Sequence, residues 1–152
     1  MNAQSSLLLL MFFVTTFCAA QNEVAYDSTL ARSLGADEYG MKSYTFIILK
    51  TGPDTVSDPE QRQALFSGHL KNIAHLAEKG DLVLAGPLQS NPKNYRGLFI
   101  FDLTDKKEVE ELLQTDPAIA AGLLDYEIYQ WYGSAALRSY LDTHEKIQKT
   151  KF

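Results

Sequence analysis

Apolar and polar positions along this chain change period several times, and each change marks an element. Ser43–Lys50 (SYTFIILK) is β-branched and aromatic, the pattern of a strand. A loop over Thr51–Asp58 contains Gly52-Pro53-Asp54. Asp58-Pro59-Glu60 then opens a helix, with Asp58 as N-cap and Pro59 in the first turn, and Gly80 ends it. Leu82–Leu88 (LVLAGPL) predicts a second strand, broken near its end by Gly86-Pro87. Gln89–Asn94 is a polar turn, and Tyr95–Asp102 (YRGLFIFD) a third strand. Asp105 and Glu108 form a capping-box opening for a second helix to about Gln114. Asp116-Pro117 starts a short helix ended by Gly122, and Leu123–Trp131 (LLDYEIYQW) predicts a fourth strand. Gly133-Ser134 then caps a C-terminal helix to about Lys149, with Leu137, Tyr140, Leu141 and His144 as its stripe. Ahead of the first strand, Ser28–Leu34 predicts a short helix stopped by Gly35.

The order is βαββαβ followed by a helix. It predicts an α+β domain over residues 43–132: a four-stranded antiparallel sheet with two helices on one face, the ferredoxin-like arrangement. A lead-in over 21–42 precedes it and a C-terminal helix and tail over 133–152 follow. In the first strand Tyr44, Phe46 and Ile48 point one way and Thr45, Ile47 and Leu49 the other, and the third strand is apolar on both sides. Both faces of the sheet therefore need cover, and the helices supply it for one. The simplest cover for the other is the same face of a second copy, a homodimer with an isologous interface.

The helix from Pro59 to Gly80 carries the first candidate for chemistry. At 100° per residue, Leu65, Phe66, Leu70, Ile73, Leu76 and Ala77 fall within about 140° of arc, one core-facing stripe. His69 lies inside that stripe, whereas His75 and His144 read as surface residues. A buried imidazole needs a polar partner, because leaving it unpaired costs about 1–3 kcal/mol.

Composition narrows the rest. A net charge of −5 disfavours nucleic acid and anionic membranes as partners. Leu7–Phe17 (LLLLMFFVTTF) is an apolar run followed by Cys18-Ala19-Ala20 and then by polar residues, the pattern of a signal peptide over residues 1–20 cleaved near Ala20. At about 14 apolar residues it is short of the roughly 20 that span a membrane. One departure from the signal pattern is that no Lys or Arg precedes the apolar run, so only the α-amino group supplies positive charge, and the alternative is an uncleaved anchor. Cleavage would remove the only cysteine, Cys18, and leave an exported, periplasmic or extracellular protein with no disulfide, thiol nucleophile or thiolate metal site, and no membrane attachment. His69 and His75 lie on opposite helix faces and cannot share a metal, and no HExxH, CxxC, GxGxxG, P-loop or GxSxG pattern occurs.

Arg62, Phe66-Ser67-Gly68-His69-Leu70, Gly80-Asp81-Leu82-Val83-Leu84-Ala85-Gly86-Pro87 and Thr115-Asp116-Pro117 together resemble the YCII-related (YciI-like) proteins. The resemblance covers about residues 43–131. It implies a dimeric α+β barrel of ferredoxin-like subunits and an active site built from the histidine and the aspartate, here His69 and Asp116. The leader, the lead-in and the C-terminal helix depart from the common pattern.

A carboxylate that accepts an imidazole N–H fixes the tautomer and stabilises the imidazolium, leaving the other ring nitrogen to act as general base. No cofactor or metal is needed for such chemistry, and an isomerase, lyase or hydrolase acting on an unknown small molecule would fit. Tyr44 and Trp131, with Gly86 and Pro87 shaping a wall, are candidates to line a substrate pocket, and Arg96 a candidate to meet an anionic group. Against this stands a plainer reading: a non-catalytic small-molecule-binding or structural dimer, with His69 a satisfied core residue and Asp116 simply the cap before Pro117.

Overall fold

The computed structural model describes residues 25–150. The expected signal segment, with Cys18, lies outside them. Helix α1 (Ser28–Leu34) is capped by Asp27 and stopped by Gly35 at φ 69°, a left-handed conformation that glycine adopts at little cost. Strand β1 (Met41–Thr51) leads to helix α2 (Pro59–Lys79), which is capped by Asp58 and stopped by Gly80 at φ 82°. Strands β2 (Leu82–Pro87) and β3 (Tyr95–Phe101), helices α3 (Lys106–Leu113) and α4 (Pro117–Ala120), and strand β4 (Leu124–Ser134) complete the βαββαβ unit.

The sheet is antiparallel throughout, in the order β2-β3-β1-β4. This is the ferredoxin-like topology that the alternation of elements predicts, an open four-stranded sheet within one chain. Ile47 and Leu49 of β1, Leu82 of β2 and Phe99 and Phe101 of β3 face the helices. There they pack with Leu76 of α2, Val109 and Leu113 of α3, and Ala118 and Ile119 of α4. The α2 stripe is narrower than its spacing suggests: Leu76 is its one buried residue, and Leu70, at the edge of the arc, is 40% exposed.

The C-terminal region departs from expectation. It is not one helix from Ser134. Strand β4 continues to Ser134, which pairs with Met41, and Ala135 donates its N–H to Gly40 O. A 3-10 helix (Ala135–Tyr140) follows, with Ser134 as its side-chain cap, and then helix α5 (Leu141–Ile147), on which His144 is exposed. This segment crosses the face of the sheet opposite the helices. Leu137 packs there against Tyr44, Val83 and Ile100. Asp102, with its side chain only 6% exposed, fastens the segment down by pairing with Lys42 and with Arg138. The second face is thus covered at one end by the chain itself. Phe46, Leu84 and Leu98 stay half-buried, and Tyr129 and Trp131 are exposed. Among the described residues no helix is long and apolar enough to cross a membrane.

Candidate functional site

His69 occupies the middle of α2, a helix that sequence-encoded caps hold at both ends. Its ring lies over the sheet, stacked on Phe99 at 6.0 Å between centroids, with the edge of Phe66 6.4 Å away. Asp116 arrives from the other half of the unit, in the turn between α3 and α4. It is 1% exposed and is the N-cap of α4. Its two oxygens divide the work. Oδ1 accepts from the backbone N–H groups of Ala118 (2.9 Å) and Ile119 (3.4 Å), and Oδ2 lies 2.6 Å from His69 Nδ1.

The protonation pattern follows from the chemistry of the partners. An ionised carboxylate only accepts, so Nδ1 carries the hydrogen and donates it to Oδ2. In the neutral ring Nε2 then holds a free lone pair. Nε2 has no hydrogen-bond partner among the described residues, and no side-chain nitrogen or oxygen there is both buried and unpaired. Nε2 therefore reaches solvent, although the side chain as a whole is 13% exposed. The arrangement is a hydrogen-bonded base with one oriented, accessible nitrogen. It can accept a proton from a bound molecule and return it.

Cap and base partner are thus one carboxylate serving both roles that the sequence left open for Asp116. The other candidate residues are not gathered around His69. Tyr44 and Trp131 form a cross-strand pair on the opposite face of the sheet. Tyr44 is fully buried there and donates its hydroxyl to Ser134 O at 3.0 Å, so it is a core residue. Arg96 is exposed where the β1–β3 register slips, and makes no ion pair with Asp116. Gly86 and Pro87 end β2 opposite Leu98 and Gly97. Pro87 borders an open depression of about 750 Å³ formed by the β2–β3 hairpin, with Leu88, Asn91, Pro92, Lys93 and Tyr95 among its walls. His69 is not part of it. Among the described residues no three His, Cys, Asp or Glu side chains are grouped to hold a metal.

The residue that sequence reasoning missed is Phe99, the floor beneath His69. The alternation of β3 places Phe99 and Phe101 together on one face, but both faces of that strand are apolar, so pattern alone does not say which face meets α2.

The family model for the YCII-related domain matches residues 44–132. No curated protein matches. Among solved structures, one similar chain is the 5-chloro-2-hydroxyhydroquinone dehydrochlorinase from Burkholderia phenoliruptrix AC1100, in complex with 2,5-dihydroxybenzoquinone. It is 22% identical, with a TM-score of 0.43, over 58% of this chain and 92% of that one. Another is a dimeric protein of unknown function and ferredoxin-like fold from Bacteroides fragilis NCTC 9343, 14% identical with a TM-score of 0.36, over 60% of this chain and 95% of that one. The family match spans more than half of the sequence and includes both His69 and Asp116, and by it this chain belongs to the YCII-related family.

Proposed function

We propose that this protein is an exported, cofactor-free enzyme in which His69 transfers a proton to and from a small molecule while Asp116 holds and charges the ring. The observation that carries this reading is the Nδ1–Oδ2 distance of 2.6 Å combined with an unpaired, solvent-reaching Nε2. Asp116 is fixed by two backbone N–H groups, so the ring is oriented before substrate arrives. A positioned general base of this kind contributes about 10²–10⁴ in rate. Isomerisation, elimination or hydrolysis can all run on such a group.

The protein works as a homodimer in this reading. The uncovered part of the second sheet face, with Phe46, Leu84, Leu98, Tyr129 and Trp131, is the surface for the second copy. Export follows from the apolar leader with its Cys18-Ala19-Ala20 junction, and the substrate's polar groups would have to be met by residues other than Arg96, Tyr44 and Trp131 of the same subunit.

The competing reading, a satisfied core histidine, draws on the Phe99 stack and the small exposure of the ring. The two readings differ at Nε2. Diethyl pyrocarbonate acylates an unprotonated, accessible imidazole nitrogen, and peptide mapping locates the product. In the proton-transfer reading His69 is acylated, more slowly than exposed His75 and His144 because its side chain is 13% exposed. The protein then also exchanges deuterium into small enolisable compounds in D2O, and His69→Gln abolishes that exchange. A His69 that resists the reagent while His75 and His144 react, with no exchange activity, leaves the structural reading.

A further inference from the structure

The dyad is one of three adjacent contacts between α2 and the segment Thr115-Asp116-Pro117. Above it, a Cβ built on Gly68 would lie 2.8 Å from Pro117 Cγ and 3.3 Å from Pro117 Cβ, so the proline ring rests against bare helix backbone. Below it, Thr115 Oγ1 lies 3.1 Å from Asn72 Oδ1 and 2.6 Å from Leu112 O. A hydroxyl has one hydrogen to give. With that hydrogen donated to Leu112 O, the nearer acceptor, exchanging the Asn72 amide oxygen and nitrogen lets its NH2 donate to Thr115 Oγ1, and both contacts are satisfied. Residues 115, 116 and 117 thus meet residues 72, 69 and 68 in order.

We propose that Gly68–Pro117 and Asn72–Thr115 form a clamp that sets the His69–Asp116 distance, and that these four are positioning residues of the site. Asp116 cannot adjust alone, because its Oδ1 is bound to the backbone of α4. Any shift of α4 against α2 therefore passes straight into the Nδ1–Oδ2 bond. The available slack is small. Ordinary contact begins near 3.4 Å, so an alanine at position 68 displaces Pro117 by about 0.6 Å. Applied to a bond of 2.6 Å, that reaches the long end of the hydrogen-bond range, near 3.2 Å. Glycine in a helix interior is less favourable than alanine, and at position 68 the close approach of Pro117 offsets that disadvantage.

The functional meaning of the clamp rests on the proton-transfer reading, but its signature does not. The full-length protein carrying Gly68→Ala, Pro117→Ala, both together, Thr115→Val or Thr115→Ser is compared with the wild type by two measurements. One is the low-field proton resonance of His69 Nδ1–H with its nitrogen shift. The other is the rate at which diethyl pyrocarbonate acylates His69, with His75 as internal reference. The clamp predicts that Gly68→Ala weakens or loses the low-field resonance and slows acylation of His69 relative to His75, because a ring whose Nδ1–H has lost its carboxylate partner is the weaker nucleophile. Pro117→Ala, which removes the outer ring atoms, restores both in the double variant. Thr115→Val shifts the resonance and Thr115→Ser leaves it in place. If Gly68→Ala does not fold, the two Thr115 variants decide the matter by the same resonance. An unchanged resonance in Gly68→Ala, a double variant no better than the single, or equal behaviour of Thr115→Val and Thr115→Ser overturns the clamp. A wild-type protein that has the resonance but resists acylation defeats the proton-transfer reading and leaves the clamp to be judged on the resonance. A wild type without the resonance overturns both.

Discussion

The two faces of the sheet treat polar groups in opposite ways. On the helix face, Asp116 is buried, its oxygens are consumed by two backbone donors and one imidazole, and the neighbouring side chains are aromatic or aliphatic. On the other face, Lys50 sits between Asp125 and Glu127, Glu127 accepts from the Tyr129 hydroxyl at 2.7 Å, and this ladder is partly open to solvent, while Asp102 farther along the same face is buried between Lys42 and Arg138. Both are charged networks on one sheet. The buried one is geometrically fixed because an unsatisfied partner there costs about 1–3 kcal/mol, whereas exposed pairs contribute about 0–1 kcal/mol and tolerate rearrangement. On the helix face the backbone of α4 fixes the orientation of Asp116, and through it that of the His69 ring.

The comparison breaks most visibly in the cores. Phe101→Ala, from the helix face, is expected to cost about 3–5 kcal/mol, and Leu98→Ala, from the half-covered face, about 1 kcal/mol. Equal losses in urea titrations of the two variants would mean that both faces are equally packed in solution. Next comes Asp116. Asp116→Ala loses cap and partner together and is expected to cost about 2 kcal/mol or more. Asp116→Asn keeps the cap through its carbonyl oxygen but turns an NH2 toward His69. The ring proton then moves from Nδ1 to Nε2, and the free lone pair moves the opposite way, to Nδ1, where it accepts from the amide. Nitrogen-detected NMR of the ring reads the switch directly. An Asp116→Asn protein whose His69 keeps its hydrogen on Nδ1 contradicts the assigned roles.

Tyr44 gives a pH test of the self-covered end of the second face. Burial pushes its phenol above the ordinary value of 10.0, with the Asp102 carboxylate adding to the effect. The folded state therefore holds this proton more tightly than the unfolded chain does. The stability it contributes is complete below about pH 10 and is lost as pH rises through the folded value. Tyr44→Phe should flatten that alkaline loss in denaturation curves taken across pH 9–11, at a cost of about 1 kcal/mol near neutrality for the hydrogen bond to Ser134. The proposed homodimer is tested by Phe46→Glu. It should dissociate the protein in sedimentation, at a cost to subunit stability of about 1–2 kcal/mol because Phe46 is half-buried against Tyr129, and a variant that sediments as the wild type removes that surface from the proposed interface. The smallest effect belongs to the exposed ladder. Hydrogen bonding from Tyr129 and the Lys50 ammonium hold Glu127 below its ordinary value, so any contribution is present above about pH 4.5 and fades as pH falls. Glu127→Gln should leave the denaturation midpoint nearly unmoved at pH 7.

The sequence made the elements legible wherever their signals are local. Asp58, Asp105 and Asp116 cap helices as their spacing indicates, and Gly35 and Gly80 stop them. The pairing of His69 with Asp116 was legible only through family resemblance, since nothing in the spacing of two residues 47 apart brings them together. The rest failed for physical reasons. Strand alternation divides Tyr44 from Ile47 but does not say which set the helices cover, so the pattern alone allows Tyr44 and Trp131 beside His69, whereas they lie on the opposite face of the sheet. The C-terminal helix was read from the spacing of Leu137, Tyr140 and Leu141, while the pairing of Ser134 with Met41 that prolongs β4 is a non-local hydrogen-bond match that no local pattern encodes. Gly68 and Thr115 stood inside the recognised motifs, but a close approach of a glycine to a proline ring across the fold leaves no periodic trace.

Trp131 is the only tryptophan in the chain. Its indole is laid over the backbone of Gly133 and tilted against Tyr44, at the boundary between the part of the sheet that the C-terminal segment covers and the part left open. The protein therefore carries a built-in optical probe that looks at one face alone. Its emission is blind to the environment of His69, but a partner settling on Phe46 and Leu98, or a peeling away of the segment fastened by Asp102, would each change its colour, in opposite directions.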